Sequence, residues 1–151
     1  MRGKTCVITG GTSGIGESAA LALAEQGAEL ALICRSRTRG EATRERIEAH
    51  VGRSCVRLFE ADFERLGDVR RVSQELRREL DRVDVLLNNA GVTMLGRRET
   101  PDGYETTFAV NHLAPFLLTH GLAPLLLETP GARIVNVASD AHRFGRLDLE
   151  D

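Results

Sequence analysis

An α/β fold built on a doubly wound parallel sheet follows from three observations. Short apolar segments alternate with longer ones whose apolar residues recur at helical spacing. The strand-like segments are apolar on both faces, as in a sheet covered on both sides. A glycine-rich turn, Gly10 to Gly16, joins the first strand to the first helix.

Lys4 to Thr9 reads as the first strand, with Cys6, Val7 and Ile8 at its centre. The next helix takes in Glu17 to Gln26, with Ile15, Ala19, Ala22 and Leu23 at helical spacing, and stops at Gly27, suited to a left-handed cap. Glu29 to Cys34 is the second strand. Ser36 to His50 is a charged helix with a thin apolar stripe of Ala42 and Ile47. Ser54 to Phe59 is the third strand, and Leu66 to Leu80 a helix carrying Val69, Val72, Leu76 and Leu80 on one face. Val83 to Leu87 is the fourth strand, closed by Asn88-Asn89-Ala90-Gly91. Thr93 to Gly103 is a polar loop. Tyr104 to Leu127 is helical, and Pro115 and Pro124 are each expected to kink or break it by deleting a hydrogen bond. Arg133 to Ala138 is the fifth strand, and Ser139 follows it. Right-handed βαβ crossovers then give one domain over residues 1–151, with strand order 3-2-1-4-5.

Composition removes several classes of function. Twenty Lys and Arg face 22 Asp and Glu, so no charge excess points to nucleic acid or a membrane surface. The three cysteines, Cys6, Cys34 and Cys55, fit buried reduced thiols, and no zinc spacing occurs. The first strand begins almost at Met1, leaving no room for a signal peptide. The greasiest stretch, Phe116 to Leu127, is interrupted and too short to span a bilayer. A cytoplasmic protein is expected.

The turn after the first strand is a phosphate-binding device. Its glycines admit positive φ and close approach, and the first-turn N–H groups of the helix lack intrahelical partners. A nucleotide-hydrolysing P-loop would need Lys after the last glycine; Glu17 stands there instead. A dinucleotide-binding loop with glycines at 10, 14 and 16 describes the turn better than a glycine turn that binds nothing. Gly10, Thr12, Ser13, Gly14, Ile15 and Gly16 are the candidate pyrophosphate contacts.

In such a fold the ligand lies beyond the carboxyl ends of the strands. Five polar positions fall there: Gly10, Arg35, Asp62, Asn89 and Ser139. An NAD site would carry a carboxylate after the second strand. This chain has Arg35-Ser36-Arg37, which favours the 2′-phosphate of NADP, with Arg35 as main reader and Ser36 or Arg37 as helpers. The alternative is that Arg35 begins a solvated helix face, to which Arg37 and Arg39 belong. Asp62 either accepts from the adenine amino group or caps the helix at Leu66.

Together these residues resemble the short-chain dehydrogenase/reductase family. The matches are Thr9-Gly10-x-x-x-Gly14-x-Gly16, Asp62, Asn88-Asn89-Ala90-Gly91, Asn111-His112-Leu113 and Ile134-Val135-Asn136-Val137-Ala138-Ser139. Asp102-Gly103-Tyr104-Glu105 and Phe116-Leu117-Leu118-Thr119 look most like its retinol dehydrogenase-like branch. The resemblance implies a Rossmann fold, NADP(H) and interconversion of lipophilic alcohols and carbonyls. It implies that Asn89, Ala90 and Gly91 pack on the adenine-ribose side, that Asn111 holds a water in a proton relay, and that Ser139 hydrogen-bonds the substrate oxygen.

The family's general acid is a tyrosine with a lysine four residues on, which follows the serine. The only tyrosine here is Tyr104 and the only lysine Lys4, so that pair is absent. Tyr104 reads as structural, and His142 as a solvated loop residue. The expectation is an NADP-dependent short-chain oxidoreductase shortened before its Tyr and Lys, its C-terminal strands absent and its fifth strand an open edge. The alternatives are a non-catalytic NADP-binding regulatory module, or a half-enzyme completed by a second chain. A homo-oligomer is a further expected form, and no metal site is expected.

Overall fold

The computed structural model describes residues 1–140 and Arg143. Five parallel strands form one sheet: β1 (Thr5–Thr9), β2 (Glu29–Cys34), β3 (Val56–Glu60), β4 (Val85–Asn88) and β5 (Arg133–Asn136), in the order β3-β2-β1-β4-β5. The expected order is therefore the observed one. The strands begin and end within about two residues of the expected bounds, the usual fraying of such assignments.

The apolar strands serve two cores. Val7, Ala31, Ile33 and Leu86 point to one face, where α3 (Leu66–Glu79) and α5 (Ala114–Glu128) cover them. Cys6, Ile8, Leu30, Leu32 and Leu87 point to the other, under α1 (Gly14–Glu25) and α2 (Arg37–Val51). Side chains alternate along a strand, so a strand buried on both sides must be apolar at every position. Burial of the three thiols agrees with their reading as reduced core residues.

The last long helix is not broken at either proline. It runs without a break from Thr106 to Glu128 as α4 (Thr106–Phe108), a π-helical segment (Ala109–Leu113) and α5. Pro115 lies in the first turn of α5, directly after the π segment, where the changed hydrogen-bond pattern absorbs its missing N–H. Pro124 is accommodated inside α5. The continuous segment of 23 residues is long and apolar enough to cross a membrane by length and composition, which corrects the expectation drawn from the shorter stretch. In this fold one face, with Ala109, Ala114, Leu118 and Leu122, is almost fully buried, while Phe108, Phe116 and Leu127 are exposed.

Asp84 joins the strands at the edge opposite the glycine-rich turn. Its N–H donates to the Thr5 carbonyl, and its own carbonyl accepts from Arg133 N–H, each at 2.9 Å. Its carboxylate accepts from Lys4 Nζ (2.9 Å), Thr5 N–H (2.9 Å) and Arg82 Nε (2.7 Å). Burial opposes ionisation, but these hydrogen bonds outweigh it and hold the carboxyl down to about 2.

Candidate functional site

The site is assembled at the carboxyl ends of the strands. Gly10 has φ of 66°, and a Cβ there would stand 2.9 Å from Ala90 Cα. At Gly16 a Cβ would stand 2.3 Å from Asn89 Nδ2 and 2.4 Å from the Gly10 carbonyl oxygen. These glycines let α1 start directly against the end of β4.

Thr9 and Asn89 lock the two segments together. Thr9 Oγ1 accepts from both Asn89 N–H and Ala90 N–H at 2.9 Å. Asn89 Nδ2 donates to the carbonyls of Thr9 (3.1 Å) and Gly10 (3.3 Å). Asn89 thus holds the loop's shape with its amide, leaving the loop's N–H groups for other partners. Ser13 at the N-cap of α1 makes no side-chain cap bond, so the helix opens with uncapped donors. Glu17, in the first turn, pairs with Arg46 of α2, which compensates its charge.

A cavity of about 350 Å³ adjoins this loop. Of the expected contacts, Gly10, Thr12, Ser13, Ile15, Arg35, Asp62, Asn89, Ala90 and Gly91 line it. Gly14, exposed with φ of 54°, and Gly16, packed against Asn89 and Gly10, are not among the residues that line it. Ser36 stands outside the lining: its Oγ accepts from Arg39 N–H at 3.4 Å as the N-cap of α2. Arg37 is paired with Glu41 at 2.8 Å along the helix. Arg39, assigned from sequence to the solvated face, lines the cavity with Arg35, four residues before it. Arg35 precedes the Ser36 N-cap of α2, so no helical spacing joins the two, and Arg39 is also exposed on that helix. Cys34 also lines the cavity, and burial, helped by Glu60, pushes its thiol up.

Asp62 folds into its own turn: Oδ1 accepts from Glu64 N–H at 3.1 Å. It does not cap α3; Leu66 N–H is held by Asp102 Oδ2 at 2.6 Å, from the loop before α4.

A second, larger cavity of about 990 Å³ shares Asn89, Ala90, Gly91 and Val92 with the first. Asn111 and Ser139 line it together with His112, Thr119 and His120. Asn111 belongs to the π segment, and its amide binds both backbone groups of Val92: Oδ1 accepts at 2.8 Å and Nδ2 donates at 2.9 Å. Its side chain therefore helps to hold the 89–92 wall. Ser139 is exposed beyond the end of β5. His142 lies outside the described residues.

Sequence reading places Asn88 in the Asn88-Asn89-Ala90-Gly91 match but gives it no role of its own. It is buried, donates through Nδ2 to Thr119 Oγ1 (3.2 Å) and Asn136 Oδ1 (2.9 Å), and so ties β4 to α5 and β5 beside the second cavity. Tyr104 is 44% exposed and lines neither cavity. Lys4 sits at the opposite end of β1, paired with Asp84. Neither can act as the missing acid pair.

Fold and rim together define a nucleotide-binding α/β protein of the doubly wound type. Residues 4–148 match the short chain dehydrogenase family, and the chain belongs to it. It is 43% identical over 149 residues to dehydrogenase/reductase SDR family member 13 of Bos taurus, covering 99% of this chain and 39% of that protein. It is 39% identical to retinol dehydrogenase 12 of Bos taurus, covering 99% of this chain and 47% of that protein. The chain thus spans half or less of these relatives. Among solved structures, a blue fluorescent protein from a metagenomic library in complex with NADPH is 35% identical with a TM-score of 0.78, over 96% of this chain and 60% of that one. The short chain dehydrogenase from Shigella flexneri is 27% identical with a TM-score of 0.82, over 97% of this chain and 59% of that one.

Proposed function

We propose that this chain forms the cofactor-binding part of an NADP-dependent oxidoreductase that interconverts lipophilic alcohols and carbonyls. The observation that carries this reading is the pair of joined cavities along one rim. One is bounded by the glycine-rich loop, Arg35 and Arg39; the other holds Ser139 and shares the 89–92 wall.

The donor set suits a dinucleotide. Uncapped N–H groups at the start of α1 favour the pyrophosphate. Arg35 and Arg39 offer forked donors to a 2′-phosphate, and no carboxylate follows β2 to bind a free ribose hydroxyl. When bound, the nicotinamide supplies or accepts the hydride. The chain's own part is to orient and to polarise. Ala90 and Gly91, held by Thr9 and Asn111, form the wall between adenosine and nicotinamide sides. Ser139 Oγ donates to the substrate oxygen where charge builds during transfer. Pro115, Phe116, Ile134 and Val137 give the second cavity apolar surface for a lipophilic substrate.

Titration with NADPH and NADH tests the reading. Arg35→Ala should weaken NADPH by about tenfold or more, the loss of one charge-assisted contact, and leave NADH unchanged. Equal affinity for both cofactors with no effect of Arg35→Ala would contradict it. A half-enzyme completed by a second chain is the other reading, and the exposed apolar residues of β5 favour it. It predicts hydride transfer only after a chain carrying the Tyr/Lys pair is added.

A further inference from the structure

Glu64 puts a negative charge in the cavity where the 2′-phosphate would lie. Its carboxylate is 16% exposed, lines the smaller cavity, and stands 3.8 Å from Arg35 Nη1. Left alone, this carboxylate would work against a phosphate twice over. It would repel the incoming anion, and it would compete for the same guanidinium.

Glu64 is not alone. Arg98, on the loop before α4, pairs with its second carboxylate oxygen. Arg98 is not among the residues lining the cavity, so it has no direct view of a bound adenosine. Nor is it a loose surface cation. Its carbonyl accepts from Thr106 N–H at 2.8 Å and from Thr106 Oγ1 at 2.9 Å, and Thr106 is buried at the start of α4. Asp102, from the same loop, caps α3 at Leu66. The loop is thus fastened at two points around Glu64. Two arginines share one carboxylate, and only one of them faces the cavity.

We propose that Arg98 sets cofactor preference from outside the cavity: by neutralising Glu64 it frees Arg35 to read the 2′-phosphate. This rests on the NADP reading above and adds a determinant that makes no contact with the cofactor. The 2′-phosphate carries close to two charges at neutral pH, so it feels an uncompensated neighbouring carboxylate far more than a ribose hydroxyl does. NADH lacks that group and is indifferent to the pair. Arg98 is a positioning and charge-compensating residue, acting only through Glu64.

A double-mutant cycle on the intact protein tests this, with Kd measured for NADPH and for NADH. Arg98→Ala should weaken NADPH about fivefold and leave NADH within twofold, and Arg98→Lys should restore most of the loss. Glu64→Gln should tighten NADPH about threefold. In the Glu64→Gln background Arg98→Ala should be nearly silent. The preference should shrink with added salt in the wild type. The proposal is overturned if Arg98→Ala costs NADPH and NADH alike, has no effect, or keeps its full effect without the Glu64 carboxylate. The Arg35→Ala control separates the two levels. If it abolishes NADPH preference while Arg98→Ala is silent, only this inference fails; if it too is silent, the NADP reading fails with it.

Discussion

The sheet has two edges, and they are built differently. At β3 the outward positions are polar and tied down. Arg57 donates to the Glu79 carbonyl at 2.7 Å, and Arg71 donates to the Glu60 carbonyl at 2.7 Å, while Phe59 is only 1% exposed. Charged side chains over an edge discourage pairing with another strand. At β5 every residue is exposed, and two of the four are Ile134 and Val135, at 47% and 44%. Phe116 on the adjoining α5 is 67% exposed. The β3 edge is composed to face water; the β5 edge is composed like an interior. The difference matters for the proposed function because the side of the rim assigned there to adenosine rests on the β3 edge and the Ser139 side on the β5 edge. Binding of the nucleotide's adenosine half is therefore expected to be the more robust property of these residues.

Core truncation should reveal the largest contrast. Phe59→Ala should cost about 3–5 kcal/mol in urea unfolding, since it empties a filled site. Ile134→Ala, with half its surface already in water, should cost less than about 1 kcal/mol. Equal costs would erase the distinction between the edges.

Acid comes next, because Asp84 staples the finished half to β5. Its folded pKa of about 2 lies below the ordinary value near 4. A depressed carboxyl contributes stability that is present above the unfolded value and lost as pH falls through the folded one. The wild type should therefore lose on the order of 1–2 kcal/mol between pH 5 and pH 2 from this group, and Asp84→Asn should lack that part of the slope. An identical acid slope in both proteins would show that Asp84 is no staple.

The smallest effect is on association. Val135→Lys should lower self-association and binding of a hydrophobic dye with little change in stability, whereas Arg57→Val should raise both. Light scattering and dye fluorescence read these outcomes, and the reverse pattern would exchange the roles of the two edges.

Much of this architecture is visible in the sequence for a physical reason. A strand buried on both faces must be apolar throughout, and Cys6 to Ile8 and Leu30 to Ile33 show it without ambiguity. The glycine turn is equally legible, because Gly10 and Gly16 stand where a Cβ would collide with Ala90 or Asn89. What stays hidden are the cross-chain bonds. Thr9 meets Asn89 across 80 positions and Arg98 meets Glu64 across 34, and no local spacing encodes either. The course through Pro115 is also hidden, since what accommodates the proline within a continuous helix is the π segment before it. That Arg39 lines the cavity as well as facing solvent is hidden, because its helix looks uniformly charged.

Amide hydrogen exchange with and without saturating NADPH tests the central claim most directly: that a dinucleotide lies along the carboxyl rim of the sheet. Protection is predicted at residues 10–16 and 89–92 and at Arg35, with residues 81–84 at the opposite edge unchanged. Protection confined to that opposite edge, or none at the glycine-rich turn under saturating cofactor, would contradict it.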